Sequence, residues 1–365
     1  MSSTDLPLQS LVKEDNSHEF LTIFTPQSAD YKDQLLTILK NHKAYFEAKI
    51  TERGGILFRG FSKELLDEDF HNLVTQGMGF EAWNAFNSKG TPKFIANWLR
   101  KYSEKLLGAG DYRRYLGTAT VQLGPVQDTI QGPHVEGGGL VERSRYLALC
   151  CFEPSPYLAE TGMVDLASVY ESLSEPLKQK FRQGWNTFSY VSARKLNWFD
   201  RQLLKQSPLK VTLRSDGYAV MTSKPCPAAC KIPNTETICV QPWAFARNTN
   251  TQVHAAAKEI FTNRGDFKKD NVAESMNLTW DLANEAGDSL NWTEAEQYEF
   301  FASIFNRATL MEWEKGDVAF IDNVRVGHWR MNGEQGNRKL VQIQANPFNS
   351  TEHMVEQTLN GQAVA

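Results

Sequence analysis

The run of residues from Arg338 to Ala345 constrains the fold of this chain more than any other feature. Two rows alternate along the run, a mainly polar row of Arg338, Leu340, Gln342 and Gln344 and a mainly apolar row of Lys339, Val341, Ile343 and Ala345. Side chains alternate between the two faces of a β-strand, so this period of two predicts a strand. A strand with one polar face is typical of a barrel that holds a ligand and packs its other face on a second layer.

Similar patterns elsewhere predict a mixture of strands and helices. Apolar or alternating runs predict strands over residues 55–61, 116–123, 145–152, 161–166 and 318–321, and apolar residues at helical spacing predict helices over 30–49, 62–76, 92–107, 169–181 and 294–307. Pro176 should divide the fourth helix in two. The segment 254–282 is polar and fits either a lid or an insertion.

His134 and Glu136 form the most informative pair of polar residues. They are two positions apart, so in an extended segment both side chains point to the same face. An imidazole and a carboxylate are two of the three ligands in the facial triad of non-haem Fe(II) oxygenases, which also needs a distant histidine. His328, which follows a predicted strand, is the best candidate for the third ligand. The remaining histidines are interpreted as structural or surface residues: His18, His42, His71, His254 and His353.

Composition and charge narrow the class of protein. The 365 residues are 41% hydrophobic and 22% charged, which is ordinary for a globular protein, and the net charge of −4 does not favour nucleic acid as a partner. No apolar run is long enough for a membrane span and no signal peptide is evident, so a cytoplasmic protein is expected. The five cysteines, including Cys226 and Cys230, are interpreted as structural thiols rather than as disulfides or a zinc site.

Four segments together resemble the TauD/TfdA family of Fe(II)/2-oxoglutarate-dependent dioxygenases, which includes the clavaminate-synthase-like enzymes. Residues 55–61 resemble the N-terminal strand of that family, and residues 133–136 resemble its His-x-Asp/Glu motif. Residues 159–173 resemble its Gly-Gly-Glu-Thr segment and the helix that follows, and residues 315–338 resemble the segment with its distal histidine and arginine.

The resemblance implies an α+β fold and a domain organisation. The fold would be a double-stranded β-helix, or jelly roll, with flanking helices and a large insertion between the His-x-Glu strand and the distal histidine. One catalytic domain would span residues 1–365. It would comprise an N-terminal helical segment (1–54), a jelly-roll core with insertions (55–346), including a candidate lid within 185–290, and a polar tail (347–365).

The resemblance also implies an activity and a set of site residues. Fe(II) would be bound by His134, Glu136 and His328, and the cosubstrate 2-oxoglutarate by Arg338 and Thr161. Oxygen and 2-oxoglutarate would be converted to succinate and CO2 while a small molecule is oxidised. Hydroxylation of an amino-acid-like or carboxylated metabolite, in specialised metabolism, is the expected reaction.

The sequence departs from the family pattern at positions that bear on the substrate. Ala159 stands where glycine is usual, and Gln342 stands where many relatives have a second arginine four residues after the first. The run of three glycines from Gly137 to Gly139 is also unusual. Gln342 and Arg330 are the candidate substrate-binding residues.

Alternatives remain open at this point. The same reaction can end in desaturation, epoxidation, cyclisation or oxidative decarboxylation, depending on how the substrate is placed. A protein of another class, a non-catalytic sensor that binds a metal and 2-oxoglutarate, would have the same ligands. A zinc hydrolase is a further alternative, but no separate general base stands out in the sequence.

Overall fold

The computed structural model describes residues 6–83, 95, 98, 102, 106, 114–115, 121–123, 129–205, 209–264, 267 and 278–355. The chain divides into two compact units, each built from segments that are distant in sequence. The first unit comprises Met1–Gln131, Arg143–Asp165 and Ala308–Phe348, and the second comprises Gly132–Glu142, Leu166–Arg307 and Asn349–Ala365. The single catalytic domain over 1–365, with its helical segment, core, lid and tail, stays a prediction.

The first unit is rich in strands. Its helices are α1 (Leu8–Leu11), α2 (Leu35–Asn41), α3 (Lys43–Arg53) and α4 (Asp67–Asn72). Its strands are β1 (Val12–Asp15), β2 (Leu21–Pro26), β3 (Gly55–Phe58), β4 (Arg114–Tyr115), β5 (Val121–Leu123), β6 (Glu142–Glu153), β7 (Tyr157–Leu158), β8 (Thr161–Asp165), β16 (Thr309–Met311), β17 (Val318–Asp322), β18 (Val326–Arg330), β19 (Gly333–Glu334) and β20 (Lys339–Asn349).

Two sheets of the first unit carry its core. The larger sheet has eight strands in the order β1-β2-β3-β17-β6-β20-β5-β4, and the smaller has three in the order β16-β8-β18. All pairs along β16-β8-β18 are antiparallel, as are those of β17 with β3 and β6, whereas β2 and β3 are parallel. The described strands form open sheets, so the closed barrel that the last strand suggested is replaced by two layers.

The two faces of the larger sheet contact different apolar clusters. Val341, Ile343 and Ala345 of β20 pack in one cluster with residues of α2, α3 and α4. Leu340 of the same strand packs in a second cluster, together with Met163 of β8 and other residues of both sheets. The alternation predicted for residues 338–345 is thus confirmed. The second cluster, called the inter-sheet core below, lies on the face that also carries Gln342.

The second unit contains most of the remaining helices. Its helices are α5 (Leu166–Ser172), α6 (Glu175–Gln183), α7 (Trp198–Leu204), α8 (Arg247–Ile260) and α9 (Glu294–Asn306). Its strands are β9 (Trp185–Val191), β10 (Lys210–Leu213), β11 (Ala219–Thr222), β12 (Cys226–Pro227), β13 (Ala229–Lys231), β14 (Ile238–Val240) and β15 (Leu278–Ala283). Strands β10, β11, β9 and β12 form one sheet, and β15 also pairs with β9.

Most of the predicted elements are present, with some corrections. Helix α9 begins at the capping residue Thr293, whose hydroxyl accepts a hydrogen bond from the Glu296 backbone N–H. Pro176 separates α5 from α6 as predicted. The single helix predicted over 30–49 is two helices in the structure, because α2 ends at Asn41 and α3 begins at Lys43 and extends to Arg53. Helix α8 is not among the predicted elements, because the sequence there is mostly polar.

Three further expectations concern residues that the structure covers only partly or not at all. The helix over 92–107, the strand over 116–123 and the end of the tail beyond residue 355 lie largely outside the described residues.

All five cysteines are buried and form no disulfide. Within the described part of the chain, no helix combines the length and the apolar character that crossing a membrane requires.

Candidate metal centre and cosubstrate site

His134 and Glu136 lie in an extended segment that pairs with another segment of the second unit. His134 forms an isolated antiparallel bridge with Trp243, and the Val135 N–H donates to the Pro242 carbonyl at 3.0 Å. The segment was expected to end a regular strand, but only this bridge forms, and a turn begins at Glu136. The extended backbone at His134 nevertheless keeps the two side chains close, with His134 Nε2 and Glu136 Oε1 3.8 Å apart.

The glycines around this pair allow a close approach of backbone to backbone. A Cβ atom at Gly132 would lie 1.9 Å from the Ala244 carbonyl oxygen, so any other residue would push the segment away. Gly137 has a φ of +71°, the left-handed conformation that glycine adopts without strain. A Cβ at Gly139 would lie 3.1 Å from the Phe188 ring. The unusual glycine run therefore makes the turn that follows Glu136 and lets it pack on Phe188.

The tautomer of His134 is set by its own backbone neighbour. Its Nδ1 lies 2.9 Å from the Gly132 carbonyl oxygen, and because a carbonyl only accepts, Nδ1 must carry the proton. In the neutral imidazole, Nε2 then has the lone pair, and this is the form that binds a metal. His134 and Glu136 are 6% and 5% exposed, so both donors are removed from bulk water.

His328 lies in the middle of β18 in the first unit and is also buried. It is directly opposite Met163 of β8, and Arg330 is directly opposite Thr161. Residues two apart on a strand share a face, so Thr161, His328 and Arg330 lie on the same face of the smaller sheet as Met163, which packs in the inter-sheet core. Gly162 and Trp329 are paired on the opposite face of this sheet, and a Cβ atom at Gly162 would lie 2.1 Å from the Trp329 ring.

The three predicted ligands come together. One ligand atom from each of His134, Glu136 and His328 can be chosen so that all lie within 4.8 Å of one another, and all three residues are buried. Among the described residues this is the one group of three or more His, Cys, Asp or Glu side chains arranged in this way. Two imidazoles and one carboxylate are the donor set of non-haem Fe(II), and the set leaves three coordination positions of an octahedral ion for other ligands.

Thr161 has a partner that the sequence did not predict. The Trp313 Nε1–H donates to Thr161 Oγ1 at 2.7 Å, and both residues are buried in the first unit. A hydroxyl that accepts from an indole N–H directs its own O–H elsewhere, so Trp313 fixes Thr161 as a donor. Trp313 is 152 residues away from Thr161, and no local pattern connects the two.

Arg338 is a buried cation that directly precedes β20. No described Asp or Glu forms an ion pair with it, and burial lowers its pKa to about 10, an effect that the nearby Cys151 thiol partly opposes. A buried charge without a counter-ion is costly, so such an arginine fits an anionic ligand. The burial of Arg338 is compatible with the expected binding of a carboxylate, which stays a prediction.

Gln342 and Arg330 differ in their surroundings. Gln342 is 1% exposed, and neither its amide oxygen nor its amide nitrogen has a hydrogen-bond partner among the described residues. Arg330 Nη2 donates to the Thr129 carbonyl at 2.9 Å, so part of its guanidinium holds the chain segment beside β18. A buried amide without a partner is costly, which favours a polar ligand beside Gln342.

Ala159, another of the departures from the family pattern, lies in a strained conformation. Its φ is +58°, which glycine adopts readily and alanine at a cost of about 1 kcal/mol. The glycine that is usual at this position thus has a conformational reason. A Cβ at Gly333 would lie 2.2 Å from the Ala159 nitrogen, so Gly333 and Ala159 shape one close contact beside Thr161.

Solved structures of low sequence identity share the fold of the chain. PvcB from Pseudomonas aeruginosa superimposes with a TM-score of 0.52 at 9% identity, covering 92% of this chain and 91% of PvcB. A second PvcB structure, described as an Fe, alpha-ketoglutarate dependent oxygenase from an isonitrile synthetic pathway, gives a TM-score of 0.51 at 9% identity, covering 92% and 91%. A taurine dioxygenase from Burkholderia xenovorans gives 0.50 at 13% identity, covering 95% and 96%. The predicted α+β jelly-roll class is thus confirmed.

The sequence itself matches a family model. A search of curated proteins finds no match. The model described as "Taurine catabolism dioxygenase TauD, TfdA family" matches residues 21–344, which include every candidate site residue. The chain therefore belongs to the TauD/TfdA family, and it is an Fe(II)/2-oxoglutarate-dependent oxygenase.

Proposed function

We propose that His134, Glu136 and His328 bind one Fe(II) and that the enzyme hydroxylates a small, carboxylated or amino-acid-like metabolite. The observation that supports this most strongly is the buried group of two imidazoles and one carboxylate with ligand atoms within 4.8 Å. When bound, Fe(II) would activate O2 as 2-oxoglutarate is converted to succinate and CO2. The Gly132 carbonyl would hold His134 with Nε2 toward the ion.

Arg338 and Thr161 are proposed to bind the distal carboxylate of 2-oxoglutarate. The guanidinium supplies two parallel N–H donors that match a carboxylate, and the Thr161 hydroxyl supplies a third donor. Trp313 supports this role, since its indole N–H occupies a lone pair of the Thr161 hydroxyl. Binding of the dianion would also compensate the buried charge of Arg338.

Gln342 and Arg330 are proposed to contact the substrate. A neutral amide offers one acceptor and two donors, but no charge to hold a sulfonate or carboxylate. The substrate would thus be polar or zwitterionic, and Arg330 would hold its acid group. Hydroxylation is proposed because it is the default outcome after hydrogen abstraction, and placement of the substrate decides between it and desaturation, epoxidation, cyclisation or decarboxylation.

The proposal is tested by succinate formation. The enzyme is incubated with Fe(II), 2-oxoglutarate and ascorbate, and a set of amino acids and small carboxylic acids is screened by mass spectrometry for compounds that accelerate succinate release. A compound that does so and gains one oxygen atom supports the proposal. If 2-oxoglutarate binds but no compound of this class stimulates turnover, the proposed substrate class is wrong.

The role of Gln342 has its own test once a substrate is found. Under saturating 2-oxoglutarate, Gln342→Ala should raise the substrate KM by about fivefold to tenfold, since a hydrogen bond contributes about 1 kcal/mol. The 2-oxoglutarate requirement should stay unchanged. If only that requirement moves, or neither quantity does, Gln342 does not contact the substrate.

A further inference from the structure

Two aromatic side chains of the second unit lie beside the candidate metal ligand His134. The centroid of the Phe245 ring is 4.3 Å from that of the His134 imidazole, and the Trp243 ring is 5.8 Å from Phe245. Trp243 also forms the backbone bridge with His134. Neither residue could be singled out from the sequence, because neither lies at a periodic or motif position.

The two rings form a corner. Their planes are 81° apart, so a planar group in the corner can stack on one ring and meet the other edge to face. Both residues are only partly buried, whereas Phe188 behind Trp243 is fully buried. Phe245 and Trp243 thus keep some exposed apolar area, and the Phe245 ring lies beside His134.

The corner packs on further aromatic rings. The Trp243 ring meets Phe188 edge to face at 4.4 Å and Tyr190 at 5.9 Å. Phe188 in turn packs under the turn at Gly139, where a Cβ atom would lie 3.1 Å from its ring. The unusual glycine run therefore serves the aromatic rings as well as Glu136, because it allows the turn and the ring to pack closely.

We infer that the substrate carries an aromatic ring, which binds in the corner of Phe245 and Trp243. This inference rests on the proposed function, since it places the ring next to a residue proposed to hold Fe(II). A substrate ring in this corner would cover the exposed apolar area and gain the specific geometry of aromatic pairs. An aliphatic group of equal size would cover the same area without that geometry.

The inference is tested with two probes that differ only in the ring. 3-Phenylpropionate and 3-cyclohexylpropionate are titrated into the Co(II)- and 2-oxoglutarate-loaded enzyme under saturation-transfer NMR, so that no turnover is needed. Aromatic pairs contribute beyond buried area, so we expect the phenyl probe to bind about twofold to tenfold more tightly. Phe245→Leu and Trp243→Leu should each bring the ratio of the two dissociation constants close to one.

The control is Phe199→Leu, which removes an aromatic ring that is 42% exposed on α7. This variant should keep the ratio of the wild type. The inference is overturned if the ratio is the same in all four proteins, or if the wild type binds 2-oxoglutarate but neither probe. A loss of Co(II) affinity in Phe245→Leu with an unchanged ratio would also overturn it, since the ring would then only position His134. If 2-oxoglutarate itself does not bind, the proposed function fails first.

Discussion

Replacing Arg338 with methionine tests the proposed carboxylate site by two opposite effects. Arg338 is 4% exposed, and its pKa is lowered from 12.5 to about 10 by burial, which corresponds to about 3 kcal/mol against the charged form. The pKa of Arg338 is lower in the folded protein than in the unfolded chain, so the folded state is destabilised by this full amount at neutral pH. The destabilisation decreases only as the pH rises through about 10. Without 2-oxoglutarate, Arg338→Met should therefore raise the free energy of unfolding by about 1–3 kcal/mol.

The same variant should lose affinity for 2-oxoglutarate. Truncating one partner of a desolvated, charge-assisted pair costs about 2–4 kcal/mol, which is a loss of roughly thirtyfold or more. Calorimetric titration of the anaerobic Fe(II) enzyme with 2-oxoglutarate measures this affinity, and urea denaturation measures the free energy of unfolding. The two measurements should move in opposite directions.

Arg59 provides the matched control within the same unit. Arg59 Nη2 lies 2.6 Å from Asp317 Oδ2, and the Asp317 carboxylate is fully buried. Arg59→Met leaves that carboxylate without its cation and should cost about 3–5 kcal/mol of stability, with the 2-oxoglutarate affinity unchanged. The reasoning is refuted if Arg338→Met destabilises the protein as Arg59→Met does, or if it binds 2-oxoglutarate like the wild type.

Three further substitutions test single contacts. Trp313→Phe removes the N–H that donates to Thr161 and should weaken 2-oxoglutarate binding about threefold to tenfold by calorimetry; an unchanged affinity would show that the indole does not orient the hydroxyl. Gly162→Ala places a Cβ 2.1 Å from the Trp329 ring and should cost about 1–3 kcal/mol in urea denaturation; a cost below about 0.5 kcal/mol would contradict the packing. Thr293→Ala removes the cap of α9 and should cost about 1 kcal/mol, and no loss would mean that the cap is not formed.

The sequence predicted those parts of the fold whose signal is local. The two faces of β20 follow from a period of two, and their separation into two clusters is what the structure shows. Helix α9 was predicted because its apolar positions recur at helical spacing within one short stretch, whereas its capping residue Thr293 is shown only by the structure. Helix α8 was not predicted because its sequence is mostly polar and even its buried residues include the polar Thr249 and Asn250.

The candidate site was predictable where residue type alone indicated chemistry. His134, Glu136 and His328 carry the donors that Fe(II) prefers, and the structure brings them together. Trp313 and Phe245 were not predictable, because tryptophan and phenylalanine are usually core residues and only tertiary contacts reveal what they support. The partners of such residues depend on the packing of segments far apart in sequence.

The conformation of Ala159 shows a third reason why the sequence alone could not predict the whole site. From the sequence alone, the replacement of the usual glycine by alanine bears on the identity of the substrate. The structure gives a backbone reason instead, since the left-handed conformation at this residue favours glycine. The alanine at this position thus has a backbone consequence, local strain, that the sequence alone does not reveal.

Anaerobic Fe(II) binding tests the central claim most directly. Equilibrium dialysis should give one Fe(II) per chain for the wild type and for His71→Ala, a control histidine outside the ligand group of the described residues. His134→Ala, Glu136→Ala and His328→Ala should each lose about 100-fold or more in affinity, since each removes one of only three protein ligands. Circular dichroism should show that each variant remains folded. Full stoichiometry and unchanged affinity in any one of these three folded variants would contradict the assignment of the metal centre.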